Sequence, residues 1–242
     1  MSDLIVGRNA VSEALKAQRS INKVMIAKGA TEGSIKEIIG LVKSAGIPLQ
    51  EVERNYLDKL TEGQKHQGVA AMVAAKEYVE LEDIIAIAKQ RGEDPFVLVL
   101  DGVEDPHNLG SLLRSAEVAG VHGVVIPKRR AVGVNATVAK SSAGAIEHMA
   151  VARVANITQA IEKLKALGCW VAASDMDGQE LWEATLTGPI AIVVGGEGKG
   201  VSRLVRQNCD FVVKIPMKGK ISSLNASVAG AILLFEVVRQ RK

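Results

Sequence analysis

From Phe96 onward the chain carries short apolar runs without polar alternation, and this limits the possible folds more than any other feature. The runs cover residues 96–100, 124–126, 170–173, 190–194 and 211–215, the last broken only by Lys214. A strand with one wet face alternates polar and apolar residues, whereas continuous runs are strands buried on both faces. Helical patterns separate them at residues 111–119, 158–167, 202–207 and 224–241. This alternation predicts an α/β domain in which a parallel sheet has helices packed on both faces. Ligands bind such sheets in the loops beyond the carboxyl ends of the strands. In the last helix Leu224, Val228, Ile232, Phe235 and Val238 recur at helical spacing and are expected to face the core. Beside them Ala226, Ser227, Ala229, Gly230 and Ala231 are small enough to let another element approach closely.

Before residue 95 the patterns are shorter. Helices are expected at residues 11–17, 35–44 and 56–61, and strands at 23–27, 48–52 and 69–74. They make a small α/β domain over residues 1–75. A charged linker over 76–94 carries a helical piece at 81–90 and ends at Gly92 and Pro95. The large domain then spans 95–242. With 48% hydrophobic residues, the 242-residue chain has material for proper cores.

Composition narrows the classes of function. The net charge of +3 permits an anionic partner without announcing one. Aromatic residues make up 3%, too few for a module that stacks bases on Phe and Tyr. Any contact with a nucleic acid would therefore run through Arg, Lys, Asn and backbone donors. Cys169 and Cys209 form neither a disulfide framework nor a Cys-rich zinc site, which fits a reducing cytoplasm. No membrane span or signal peptide is expected. His107 and His122 read as loop or strand-edge residues, and Trp170 and Trp182 as packing.

Three strand ends carry unusual loops. Residues 101–110 lead into a helix, with Asn108 suited to cap it and Arg114 placed where a cation in the first turns would oppose the helix dipole. Arg114 is either a surface arginine paired with Glu117 or an arginine directed at an anion. The second loop, Gly195-Gly196-Glu197-Gly198-Lys199-Gly200, has neither the Walker nor the dinucleotide spacing. Glu197 would repel a phosphate, so the glycines suit backbone lying against a neutral or cationic ligand. A tight connection with a solvated glutamate is the other reading. The third loop, residues 215–223, opens the last helix, where Ser223 and Asn225 are candidates for a cap or for a site.

In order, Asn108-Leu109-Gly110 with Arg114, Gly195 to Gly200 around Glu197, and Ile215-Pro216-Met217 with Ser223-Leu224-Asn225-Ala226-Ser227 resemble the SpoU (TrmH-type) branch of the SPOUT RNA methyltransferases. Arg8-Asn9-Ala10-Val11 and His66-Gln67-Gly68-Val69 mark an N-terminal domain similar to the L30e-like RNA-binding domain of the ribosomal RNA ribose methyltransferases. The likeness is strongest to the bacterial 23S rRNA guanosine 2′-O-methyltransferases. Ala226 departs from the valine that relatives often carry.

The resemblance implies a deep trefoil knot, S-adenosylmethionine as methyl donor, no metal, and a homodimer with its active site at the subunit interface. Gly195, Gly196, Gly198, Ile215 and Leu224 would line the cofactor pocket. Asn108, Arg114, Glu197, Ser223 and Asn225 would form the catalytic group, Arg114 serving as base or as electrostatic stabiliser. The implied partner is 23S ribosomal RNA. Transfer RNA as substrate, or a non-catalytic RNA-binding role in ribosome assembly, are the alternatives.

Overall fold

The computed structural model describes residues 2–241. In chain order the elements begin with β1 Ser2–Val6, α1 Arg8–Lys16, β2 Ile21–Ala27, α2 Ser34–Ser44, β3 Leu49–Val52, α3 Arg54–Leu60 and β4 Val69–Ala74. They continue with α4 Leu81–Arg91, β5 Phe96–Asp101, α5 Pro106–Val118, β6 Gly123–Pro127, α6 Ala136–Ser141, β7 Val151–Val154 and α7 Ile157–Ala166. The last are β8 Trp170–Glu180, β9 Ile190–Gly195, α8 Arg203–Asn208, β10 Phe211–Lys214 and α9 Ala226–Gln240. Contacts divide the chain into two units: Met1–Glu77 with Val134–His148, and Tyr78–Gly133 with Met149–Lys242.

In the first unit the sheet order is β1-β4-β2-β3. Strand β4 runs antiparallel to β1 and β2, while β2 and β3 are parallel. The carboxyl ends of β1, β2 and β3 therefore meet the amino end of β4 at one edge. Val11 and Ala14 of α1 with Ile35, Ile38 and Val42 of α2 close one core over Ile5, Val24 and Val73. On the other face Leu57 of α3 packs with Met25, Val52 and Ala70. The sequence reading missed β1 and started α1 three residues late, at Val11. Gly7, at φ 99, takes the left-handed turn between the two elements, which lets the helix begin at Arg8. Residues 134–148 join this unit through α6 and a 3₁₀ turn, tied by Arg19 Nη1 to Glu147 Oε1 at 2.6 Å.

In the second unit six strands, all parallel, lie in the order β10-β8-β9-β5-β6-β7. Alternate residues of each buried strand point to opposite faces. Val97, Val99, Val171 and Val193 meet Ile84 of α4, Ile161 and Leu164 of α7 and Val205 of α8. The other face is covered by α5 and α9, whose Leu112, Leu113, Leu233, Leu234 and Val237 are fully buried. Each such side chain contributes roughly 1.5–3 kcal/mol by leaving water. A Cβ on Gly230 would meet Leu112 Cδ2, so the small-residue run does seat α9 closely on α5.

The expected core stripe of α9 requires correction. Leu224, Val228 and Phe235 are exposed, at 39%, 47% and 47%, and Ala226, Gly230, Leu233, Leu234 and Val237 face the core instead. Both stripes have helical spacing, and the helix turned its smaller, closer-packing face inward. Trp170 and Trp182 are likewise exposed, at 61% and 51%, not packing residues. Strand β8 runs past residue 173 to Glu180 because Ser174–Gly178 bulges out between two paired stretches. No helix among the described residues is long and apolar enough to cross a membrane.

Candidate active site

The site is built on the carboxyl edge of the six-stranded sheet. After β5 the chain turns into α5, capped not by Asn108 but by Asp105, whose Oδ1 accepts from the backbone N–H of His107 at 2.7 Å and of Asn108 at 2.9 Å. Pro106 opens the helix with a φ already suited to it. Asn108 thus lies inside the first turn, 8% exposed, with its amide free for longer-range bonds. Its Nδ2 donates to Glu197 Oε1 at 2.5 Å, and its Oδ1 accepts from Asn225 Nδ2 at 3.0 Å. The same Asn225 amide donates to Glu197 Oε1 at 2.9 Å. Three residues from three loops close a ring in which two amides hold one carboxylate oxygen.

Asn225 also caps α9. Its Oδ1 accepts from Ser227 N at 2.9 Å, Ser227 Oγ at 2.6 Å and Val228 N at 3.4 Å. Capping and carboxylate contact use opposite ends of one amide, so both readings of this residue hold at once. Ser223 is exposed beside it.

The glycine loop is held by a residue that sequence reasoning overlooked. Asp101 ends β5; its backbone O accepts from Gly196 N at 2.9 Å and its Oδ2 from Ser202 N at 2.7 Å. The available signal was an aspartate closing an otherwise apolar strand. Gly196 O then accepts from Gly200 N at 3.1 Å, pinching the loop shut. A Cβ on Gly195 would meet the backbone of Gly200 and Val201, and one on Gly196 the carbonyl of Gly102. Neither position has room for any side chain.

Against this loop lies an open cleft of about 1030 Å³. Gly195, Gly196, Gly198, Ile215 and Leu224 all line it, as do Glu197, Ser223 and Asn225. The β8 bulge supplies Ser174, Asp175 and Met176, unforeseen because the apolar run stops at Ala173. Asp175 is in turn held by Arg206 Nη1 at 2.9 Å. The volume is near the upper end of the range of roughly 300–1,000 Å³ usual for small-molecule sites. Close backbone, apolar walls and an exposed carboxylate suit a nucleoside bearing a positive centre, so the residues present fit a sulfonium cofactor.

Arg114 is not drawn into this group. It is exposed, does not line the cleft, and pairs with nothing among the described residues, Glu117 included. Because α5 begins at Pro106, Arg114 is the ninth of its 13 residues, and the expected conflict with the helix dipole disappears. His107 is exposed in the first turn of α5. His122 lies in the turn directly before β6, in line with the loop or strand-edge reading, and is buried there: Phe96 N donates to its Nδ1 at 2.9 Å, and its Nε2 donates to Glu93 at 3.0 Å. Burial pushes its imidazole pKa down. No group of three or more His, Cys, Asp or Glu among the described residues is placed to hold a metal ion.

Comparison with known proteins adds the chemistry. Residues 95–235 match the model of the SpoU rRNA Methylase family. Residues 4–79 match the model for RNA 2′-O ribose methyltransferase substrate binding. The TrmH family tRNA/rRNA methyltransferase YacO of Bacillus subtilis (strain 168) is 50% identical over 241 residues, covering 99% of this chain and 96% of that protein. A TrmH family tRNA/rRNA methyltransferase of Staphylococcus saprophyticus is 46% identical over 239 residues, covering 98% and 96%. The SpoU methyltransferase AviRb of Streptomyces viridochromogenes, solved in complex with AdoMet, is 25% identical with a TM-score of 0.82, covering 99% of this chain and 90% of that one.

Proposed function

We propose that this chain, which belongs to the SpoU rRNA methylase family, methylates the ribose 2′-hydroxyl of a guanosine in 23S ribosomal RNA. It is an RNA methyltransferase whose methyl donor is S-adenosylmethionine. The ring of Asn108, Glu197 and Asn225 beside a glycine-walled cleft carries the reading of this cleft as the place of methyl transfer. The substrate-binding match over residues 4–79 favours ribose as the acceptor. It also favours ribosomal over transfer RNA, since the transfer RNA enzymes that the chain resembles generally lack such a domain.

When bound, S-adenosylmethionine supplies a methyl group already made electrophilic by its sulfonium, so the protein's work is alignment and charge. In this reading Gly195, Gly196 and Gly198 offer backbone to the cofactor, and Ile215 and Leu224 offer apolar walls. The ring of amides fixes Glu197, and Ser223 is within the same cleft to hold the incoming ribose. A guanidinium stays protonated at neutral pH. Arg114 therefore acts by charge on the developing 2′-oxyanion, and the hydroxyl proton leaves to water.

The exposed stripe of Leu224, Val228 and Phe235 is the face we assign to a second copy of the chain. A site shared between two protomers accounts for Arg114 lying outside the cleft of one. The loops that frame the cleft are also the segments assigned to a trefoil knot.

Labelled S-adenosylmethionine incubated with unmodified 23S transcript and with bulk transfer RNA tests the reading. Expected is 2′-O-methylguanosine in the 23S digest; label in transfer RNA alone would overturn the assignment. Arg114→Ala should bind cofactor as the parent does and lose single-turnover methyl transfer.

A further inference from the structure

A second cavity, of about 390 Å³, lies in the first unit and is lined by Arg8, Arg54, Thr31, Gln67 and the turn 29–32. Its walls come from the ends of all four strands at one edge. Arg8 follows β1, the turn follows β2, Arg54 follows β3, and Gln67 and Gly68 precede β4. The edge where parallel strands end is where α/β units hold ligands.

The cavity is built, not incidental. Arg8 Nε donates to Gln67 O at 3.0 Å, which fixes the guanidinium plane and leaves its terminal nitrogens free to donate elsewhere. Arg8 N donates to Gln67 Oε1 at 3.2 Å, so the Gln67 side chain is oriented too. Gln67 has φ 52, a left-handed conformation that non-glycine residues rarely adopt and that gathers at ligand sites. Behind it His66 is 3% exposed, its Nδ1 accepting from Gly68 N at 3.0 Å and its Nε2 donating to Asp58 at 2.9 Å. Arg54, on the exposed start of α3, has no hydrogen bond or ion pair among the described residues. Two arginines, one fixed and one unpaired, therefore share a nucleotide-sized hollow with a side-chain amide and a hydroxyl.

We propose that this cavity holds one nucleotide of the substrate RNA, its phosphodiester on Arg8 and Arg54 and its base or ribose edge on Gln67 and Thr31. The proposal rests on the RNA methyltransferase reading and narrows the substrate-binding match over residues 4–79 to one cavity and four side chains. No aromatic residue lines the hollow, so recognition works through charge and hydrogen bonds, with guanidinium planes available for stacking. Glu32 also lines it and opposes the phosphate, which gives the test a sign.

Affinity of the full chain for unmodified 23S transcript, measured by filter binding over a salt series, decides the matter, with methyl transfer followed separately. Losing one phosphate contact lowers the log–log salt slope by roughly one, about a tenfold loss near 0.1 M salt. Arg54→Ala, at an exposed position, is expected to show that loss, and Glu32→Gln to bind more tightly than the parent. Arg8→Ala should match Arg54→Ala if its thermal midpoint holds. Lys43→Ala, exposed on α2 away from the cavity, is the charge control and should change the slope less. Arg54→Ala and Glu32→Gln both binding as the parent does would overturn the proposal, as would a parent chain that does not bind the transcript. A parent that binds through these residues yet transfers no methyl group would instead sink the 2′-O-methylation reading and leave the cavity's role standing.

Discussion

Asn225 offers the sharpest dissection of the site, because one amide caps α9 with its oxygen and holds Glu197 with its nitrogen. Asn225→Ser keeps a capping oxygen and removes the donor. That ends two hydrogen bonds, to Glu197 Oε1 and to Asn108 Oδ1, and costs about 1–2 kcal/mol once solvent screening at the exposed carboxylate is allowed for. Asn225→Ala removes the cap as well, a further ~1 kcal/mol. Asn225→Asp keeps the cap and gains about 0.3–1 kcal/mol from the helix dipole. It also sets an anionic oxygen where the nitrogen lay, 2.9 Å from Glu197 Oε1. Coulomb's law gives roughly 1.4 kcal/mol of repulsion there in bulk water and more nearer the protein. At about 2–4 °C per kcal/mol for a chain of this size, differential scanning calorimetry should rank the parent first, then Ser, with Ala and Asp lowest. Salt separates the last two: it should recover part of the Asp loss and none of the Ala loss. An Asp variant as stable as the parent at low salt would refute the contact with Glu197, and an Ala variant no worse than Ser would refute the cap.

Gly196→Ala drives a Cβ into the Gly102 carbonyl, which is backbone and cannot yield cheaply. It should cost about 1–3 kcal/mol and weaken cofactor binding by calorimetry. Gly230→Ala meets only the end of the Leu112 side chain and gains helix propensity, so its unfolding free energy should stay within about 1 kcal/mol of the parent's. Burial pushes the Cys169 thiol up to about 11 and, with Asp210 adding to it, the Cys209 thiol up to about 12. Iodoacetamide at neutral pH should spare both in the folded chain and label both after unfolding, because only the thiolate reacts. His122, depressed by burial, is held neutral in the folded state while the unfolded chain takes up a proton near its ordinary value of about 6.5. Its contribution is complete above that pH and is lost as pH falls below it, so melting points should decline with acidification, less steeply in His122→Asn.

The second unit was legible because buried parallel strands leave an unmistakable pattern, and each of its five expected strands is present. Strand β7 escaped because Arg153 breaks a four-residue run, and β1 because Ser2 and Asp3 leave it only three apolar residues before Gly7. Membership of residues 134–148 in the first unit could not be read at all, since it rests on Arg19 meeting Glu147 over a long sequence separation.

The site was legible where backbone demanded it and opaque where geometry did. Four glycines in six residues announced a close approach, and Gly195 and Gly196 have no space for a Cβ. Asn108 looked like a cap because caps are what asparagines near helix starts usually are. Asp105 had already taken that place, and the displaced amide became free to reach Glu197. The error on α9 has the same origin. Leu224, Val228 and Phe235 have the spacing of a buried stripe because they are an apolar stripe, and periodicity reports that a face avoids water without reporting what covers it. In one chain the inner face of α9 is taken by Ala226 and Gly230, which let it settle on α5, together with Leu233, Leu234 and Val237, so the second apolar stripe is left outside. A helix with two apolar faces is costly to leave half in water. The Leu224 end of that outer stripe lies on the rim of the cleft, so whatever covers the stripe also borders the site proposed for the cofactor.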